Sequence, residues 1–212
     1  MSAVFDHNLP NYEVHNNGVT PYNGITSTVL SYDGHAGYDY VLHYKPVLAA
    51  ANGRVSEARW YSPDNHRGGL GLFVRLEHDN NHATLYGHLS VTTVDVNTVI
   101  TDAEAGRIIG ISGNTGKVSG SGGCDPKTSP TCGAHLHFEL RRNDRVVDPF
   151  GWTGDYTDPW SAQPQGATSY NVWLEYPAIS NTGIYTSGTP RPTPTPPTGA
   201  GTVIVDDGDA NY

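Results

Sequence analysis

His135-Leu136-His137-Phe138-Glu139-Leu140-Arg141-Arg142 is the stretch that decides the fold. Apolar and polar residues alternate along it with a period of two, the pattern of a strand with one face on a core. Leu136, Phe138 and Leu140 then point inward, and His135, His137 and Glu139 share the other face. Histidines at i and i+2 lie about 7 Å apart at Cβ on such a strand. Both could hold one metal ion, or one could hold it while the other works on a substrate. Spacing alone leaves the two arrangements open.

The same period recurs upstream. Gly53–Ala58 alternates, and Leu72–Glu77 alternates more clearly, with Leu72, Val74 and Leu76 on one face. In His82–His88 the pattern places Thr84, Tyr86 and His88 on one side. Arg107–Ile111 is short and apolar, and no apolar stripe of helical period runs for three turns. Glycine (25) and proline (15) make about 19 % of the 212 residues, against a usual ~12 %. That usage suits short strands joined by turns. The expected fold is all-β: an antiparallel β-sandwich or open barrel with loop-rich extensions at both ends.

Four segments are expected around and within that core. Residues 1–30 are polar and turn-rich, a lead-in that wraps a domain at 31–180. Within the domain, residues 151–178 are aromatic-rich and are expected to pack back on the sheet as a last strand. Residues 181–201 form a linker whose Thr189–Thr198, TPRPTPTPPT, is an extended polyproline-type spacer. Residues 202–212 read as the truncated start of a further β domain.

Net charge is −9 with 12 Lys plus Arg, which argues against nucleic acid as a partner. No 18-residue apolar run is present to span a membrane. Cys124 and Cys132 bracket a loop, CDPKTSPTC, without CxxC spacing, so a local disulfide is expected rather than a zinc knuckle. A disulfide implies an oxidising compartment. The opening MSAVFDHNLP has neither a basic nor an apolar leader region, so the chain is expected to be part of a longer secreted protein.

His35-Ala36-Gly37-Tyr38-Asp39 adds an imidazole and a carboxylate to those of the strand. Gly34 and Gly37 argue against a helix there, and an extended or looped path also brings i and i+4 to one side. Histidine and aspartate are common zinc ligands, and an open site needs three of them plus water. His7, His15, His43, His66, His78 and His82 lack partners at ligand spacing and are expected on the surface or on strands.

In order, HAGYD, Pro46-Val47 with Gly53-Arg54-Val55, Leu85-Tyr86-Gly87-His88-Leu89-Ser90, Ile109-Gly110 with Thr115-Gly116, HLHFEL and Val147-Asp148-Pro149 resemble the lysostaphin-type zinc metallopeptidases. The resemblance runs from about His35 to Pro149. It implies one Zn²⁺ held by His35, Asp39 and His137, a water in the fourth position, and His88 with His135 as the unligated catalytic pair. Zinc lowers the pKa of a bound water from 15.7 to roughly 7, and nearby imidazoles can then take its proton or stabilise an oxyanion. The implied activity is hydrolysis of peptide bonds in bacterial peptidoglycan, outside the cell or in its envelope.

The chain also departs from that family. A long insert carrying both cysteines precedes the catalytic strand and is expected to shape the substrate groove. Glu139 is read as supporting the site rather than as a base, and a residue of 1–30, such as His7 or Asn8, is a candidate to block the metal. The alternative function is a non-catalytic cell-wall-binding or scaffold module of the same fold. A phosphotransfer carrier using facing histidines fits less well, because of Asp39, the spacer and the cysteine pair.

Overall fold

The computed structural model describes residues 1–9, 18–28, 33–119 and 124–172. The linker and the further β domain expected at 181–201 and 202–212 lie outside them, as do His15, Trp173 and Tyr176. Among the described residues the fold is antiparallel β with no α-helix, only a 3₁₀ turn at Ala103–Ala105. Nine strands follow one another: β1 Tyr38–Tyr40, β2 Pro46–Leu48, β3 Gly53–Trp60, β4 Leu72–Glu77, β5 His82–Thr92, β6 Val99–Ile100, β7 Ile108–Ser112, β8 Leu136–Arg142 and β9 Arg145–Val147. The sheet runs β1-β8-β5-β4-β3-β6 and does not close; β7 joins β5 to β2, and β9 pairs with β8.

The chain divides into two compact units. Of the described residues, Asp39–Phe138 belong to one, and Met1–Tyr38 with 139–172 belong to the other. The first is built on alternation. Val55, Val74, Leu76, Leu85, Leu89, Ile100 and Ile109 are buried, and Phe73 on the opposite face of β4 is buried too. β5 is the reason: its residues 83–89 are buried on both faces, so its neighbours have partners on both sides.

β5 also carries the feature that aims the site. Val74 pairs with Tyr86 and Leu72 pairs with Leu89, so three steps on β5 answer two on β4. The extra residue is a β-bulge, which interrupts the alternation of faces. His88 occupies it in the left-handed region at φ 60°, a conformation that a side chain with a Cβ adopts only when its surroundings impose it. The expectation that Tyr86 and His88 share a face is therefore corrected. Tyr86 packs edge-on against Phe138, 5.5 Å between centroids, whereas His88 lies 5.7 Å from the ring of His137, a residue of the opposite face of β8.

In the other unit, Val4, Phe5, Asp6, His7 and Leu9 are buried in a segment expected to be polar and turn-rich. The hairpin β8–β9 turns through Asn143 and Asp144, both at positive φ, the geometry of a tight primed turn. Residues 151–172 hold turns and an isolated bridge, Phe150 with Asn171, but no strand. The strand expected over 151–178 is thus not found among its described residues. Trp160 is nonetheless buried, its indole N–H donating to Val146 O at 2.8 Å.

Candidate metal and catalytic centre

His35, Asp39 and His137 are buried, each offers one ligand atom, and these atoms all lie within 4.8 Å of one another. His137 Nδ1 is 2.9 Å from Asp39 Oδ1. The ring of His35 is held by its Nδ1–H donating to Val4 O at 3.0 Å. A carbonyl only accepts, so the proton sits on Nδ1 and Nε2 keeps a lone pair for a metal. Two imidazoles and a carboxylate are the donor set of an open zinc site. The residues fit such an ion.

His88 and His135 stand beside this group without belonging to it. Their ring centroids are 4.5 Å apart. His88 donates from Nδ1 to Thr115 O at 2.8 Å, and His135 from Nδ1 to Gly133 O at 2.7 Å. Each ring therefore turns its Nε2 edge away from its own backbone anchor. His135 Nε2 lies 3.6 Å from Asp39 Oδ2. Burial, followed by the neighbouring His135 and His137, pushes the His88 pKa down to about 3, so its ring is neutral at physiological pH.

Local packing explains how these side chains are delivered. Thr115, which holds His88, donates from its hydroxyl to Leu89 O at 2.8 Å and accepts from Leu72 N at 3.0 Å. At Gly87 a Cβ would sit 3.2 Å from Leu70 Cδ2 and at an ordinary contact distance, 3.5 Å, from His137 Cβ on β8. Glu139 is buried and forms an ion pair with Arg141, two residues on along β8, at 2.6 Å.

The insert before His135 is tied down. Cys124 and Cys132 form a disulfide. The amide of Asn114 faces the carbonyls of Pro126, Ser129 and Cys132, each at 3.2 Å, and Tyr44 donates its hydroxyl to Pro130 O at 2.6 Å.

His7 does not lie on the surface or on a strand, as expected, but is fully buried. Its Nδ1 meets Asp158 Oδ1 at 2.8 Å and its Nε2 meets Asp148 Oδ2 at 3.0 Å. Both nitrogens face carboxylates, which demands a proton on each. Burial alone would depress its pKa, but these two carboxylates more than reverse that and raise it to about 9. Burial pushes Asp148 the other way, toward its neutral acid. His7, Tyr38 O–H at 3.0 Å and Phe150 N–H at 2.7 Å all donate to it, so the ion pair is the form the geometry supports. With both nitrogens engaged, His7 is not available to block the metal. Among the other histidines, His43 and His66 are exposed, the latter stacked on Trp60 at 3.6 Å, and His78 bonds Asn52 O and Thr84.

Sequence reasoning overlooked Asp6 and Asp158 and gave His7 a different role. The available signal was the run Ala3-Val4-Phe5-Asp6-His7, where two ionisable residues follow three apolar ones. No helix among the described residues is long and apolar enough to cross a membrane.

The model of peptidase family M23 matches residues 33–149 of this chain, more than half of it. An uncharacterised metalloprotease of Haemophilus influenzae is 33 % identical over 116 residues, 54 % of this chain and 20 % of that protein. The DD-carboxypeptidase/endopeptidase Mpg of Neisseria meningitidis is 32 % identical over 116 residues, 54 % of this chain and 22 % of its own length. The murein hydrolase activator EnvC of Escherichia coli is 31 % identical over 108 residues, 51 % of this chain and 20 % of that protein. The match thus spans about a fifth of these relatives. Among solved structures, the catalytic domain of the antimicrobial peptidase lysostaphin from Staphylococcus simulans is 30 % identical, covering 55 % of this chain and 77 % of that one, with a TM-score of 0.41.

Proposed function

Since the chain belongs to peptidase family M23, we propose that it is a zinc metalloendopeptidase that hydrolyses peptide bonds of bacterial peptidoglycan. His35, Asp39 and His137 hold the metal, and His88 and His135 act on the scissile amide. The observation that carries this reading is the placing of two further imidazoles, 4.5 Å apart, beside a complete three-donor group. When bound, zinc supplies Lewis acidity and a water acidified to near neutrality.

The chain's own residues do the rest. His88, fixed by Thr115, presents a lone pair at Nε2 and accepts a proton from the attacking water. His135, fixed by Gly133, presents Nε2 to the same space beside Asp39 and faces the substrate carbonyl. The peptidoglycan substrate is supported by a further relative, 32 % identical over 115 residues, the peptidoglycan DD-endopeptidase ShyA of Vibrio cholerae. A location in the cell envelope or outside the cell agrees with it, and the Cys124–Cys132 disulfide favours an oxidising compartment.

The test is direct. Purified protein should bind about one zinc, release amines from isolated cell walls, and stop when chelated. His88→Ala should keep its zinc and lose at least ~100-fold in rate, the usual scale for a general base; His137→Ala should lose both. Full activity in His137→Ala would overturn the assignment. The relative named as a hydrolase activator favours a second reading, a wall-binding module without catalysis. Tight binding to walls with no amine released over long incubation would establish that reading instead.

A further inference from the structure

We propose that Val4–His7, which lies outside the family-matched residues, is the outer brace of the metal centre and sets the tautomer and orientation of His35. This inference rests on the reading that His35 is a metal ligand. Four consecutive residues, all fully buried or within 1 % of it, make the contacts. Val4 O takes the Nδ1–H of His35, and Asp6 N–H donates to His35 O at 2.8 Å. The Asp6 carboxylate accepts from Gly34 N–H at 2.8 Å through Oδ2, and from Thr20 N–H at 2.9 Å and Asn8 N–H at 3.0 Å through Oδ1. The turn that launches the ligand, the ligand's backbone and the ligand's ring are thus all gripped by one segment.

The segment is itself anchored. His7 joins Asp148 and Asp158, and Asp148 also takes the hydroxyl of Tyr38, three residues beyond His35. The loop carrying His35 is therefore pinned on both sides by one hydrogen-bonded network running from Val4 to Asp158. Asp6 and the Val4 carbonyl touch neither substrate nor metal; they are positioning groups. Partners behind a metal-bound imidazole fix its tautomer, and losing them typically weakens metal binding 10–100-fold.

Asp6→Asn is the sharpest perturbation, because it changes one oxygen to an NH₂ at constant shape. That group cannot accept from Gly34 N–H, and flipping the amide only transfers the loss to Thr20 and Asn8. The expected result is a 10–100-fold weaker affinity for Zn²⁺ or Co²⁺ in chelator competition. Val55→Ala, a buried change in another part of the chain, should lower stability without moving metal affinity. Wild-type affinity in Asp6→Asn overturns the brace, provided that His35→Ala loses the metal. Undiminished affinity in His35→Ala would instead refute the ligand assignment itself. A second measurement needs no variant: ¹⁵N-histidine spectra of metal-free protein should show His35 with its proton on Nδ1, and a proton on Nε2 there would overturn the proposal even if Asp6→Asn fails to fold.

Discussion

Raising the pH from 6.5 to 9.5 should destabilise this protein, and His7 is the reason. A histidine in the unfolded chain titrates near 6.5, whereas His7 in the fold is raised to about 9. Because the folded value is the higher one, the stabilisation is fully present below 6.5 and is lost as pH climbs through 9. A difference of about 2.5 units corresponds to about 3 kcal/mol. With a urea slope of ~2 kcal/mol/M, the midpoint should fall by about 1.5 M. The measurement is urea unfolding of metal-free protein, followed by tryptophan fluorescence at pH 6.0, 7.5 and 9.5. Metal is removed because binding to deprotonated ligands would add a trend of opposite sign.

Burial also raises the Asp6 and Asp148 carboxyls, a trend of the same sign as that of His7. Burial lowers His78 and pushes His88 down to about 3, so both act below 6.5, and burial pushes Tyr86 up to about 12. The Met1 amine, lowered by partial burial, opposes the trend, and comparison with Asp158→Asn cancels it. That variant keeps an acceptor for His7 Nδ1 but removes one charge, so its slope between pH 6.5 and 9.5 should shrink. A flat profile in the wild type, or identical slopes in both proteins, would refute the imidazolium assignment.

Gly116→Ala should destabilise the fold by about 3 kcal/mol in thermal melts, since Gly116 is at φ +79° and a Cβ would lie 2.4 Å from Gly71 N. Because Thr115 anchors His88, the same change should slow wall hydrolysis. Tyr86→Phe should cost about 2 kcal/mol in urea titration, by leaving Ala50 N–H, now bonded to the Tyr86 hydroxyl at 2.8 Å, buried without that acceptor. Replacing Cys124 and Cys132 together by serine should cost about 2–3 kcal/mol, the loop-closure scale for a separation of 8 residues, with zinc content unchanged by metal analysis.

The local chemistry of this protein was legible, and its long-range register was not. HAGYD is weak alone, but paired with HLHFEL it marked three ligand-type side chains, whose donor atoms the fold brings within 4.8 Å of one another. The alternation in β4 and β8 announced strands, because period two needs no knowledge of the partner. The bulge at His88 depends on how β5 registers against β4, which neither strand encodes alone, so alternation assigned its face wrongly. His7 failed differently: its partners are 141 and 151 positions away, and no local pattern shows that two carboxylates will meet one imidazole. The aromatic residues of 151–172 signalled burial, realised at Trp160, but burial does not specify a strand.

The disulfide-closed loop ahead of His135 is fastened by Asn114 and Tyr44 through main-chain oxygens of Pro126, Ser129, Pro130 and Cys132. Every amino acid supplies that oxygen. The outward side chain of Lys127 is consequently free to drift while the attachment endures, whereas Asp125 and Thr128 also bond within the loop. Evolution, or an engineer, could rewrite this cap like an interchangeable cassette and leave the machinery beneath it untouched.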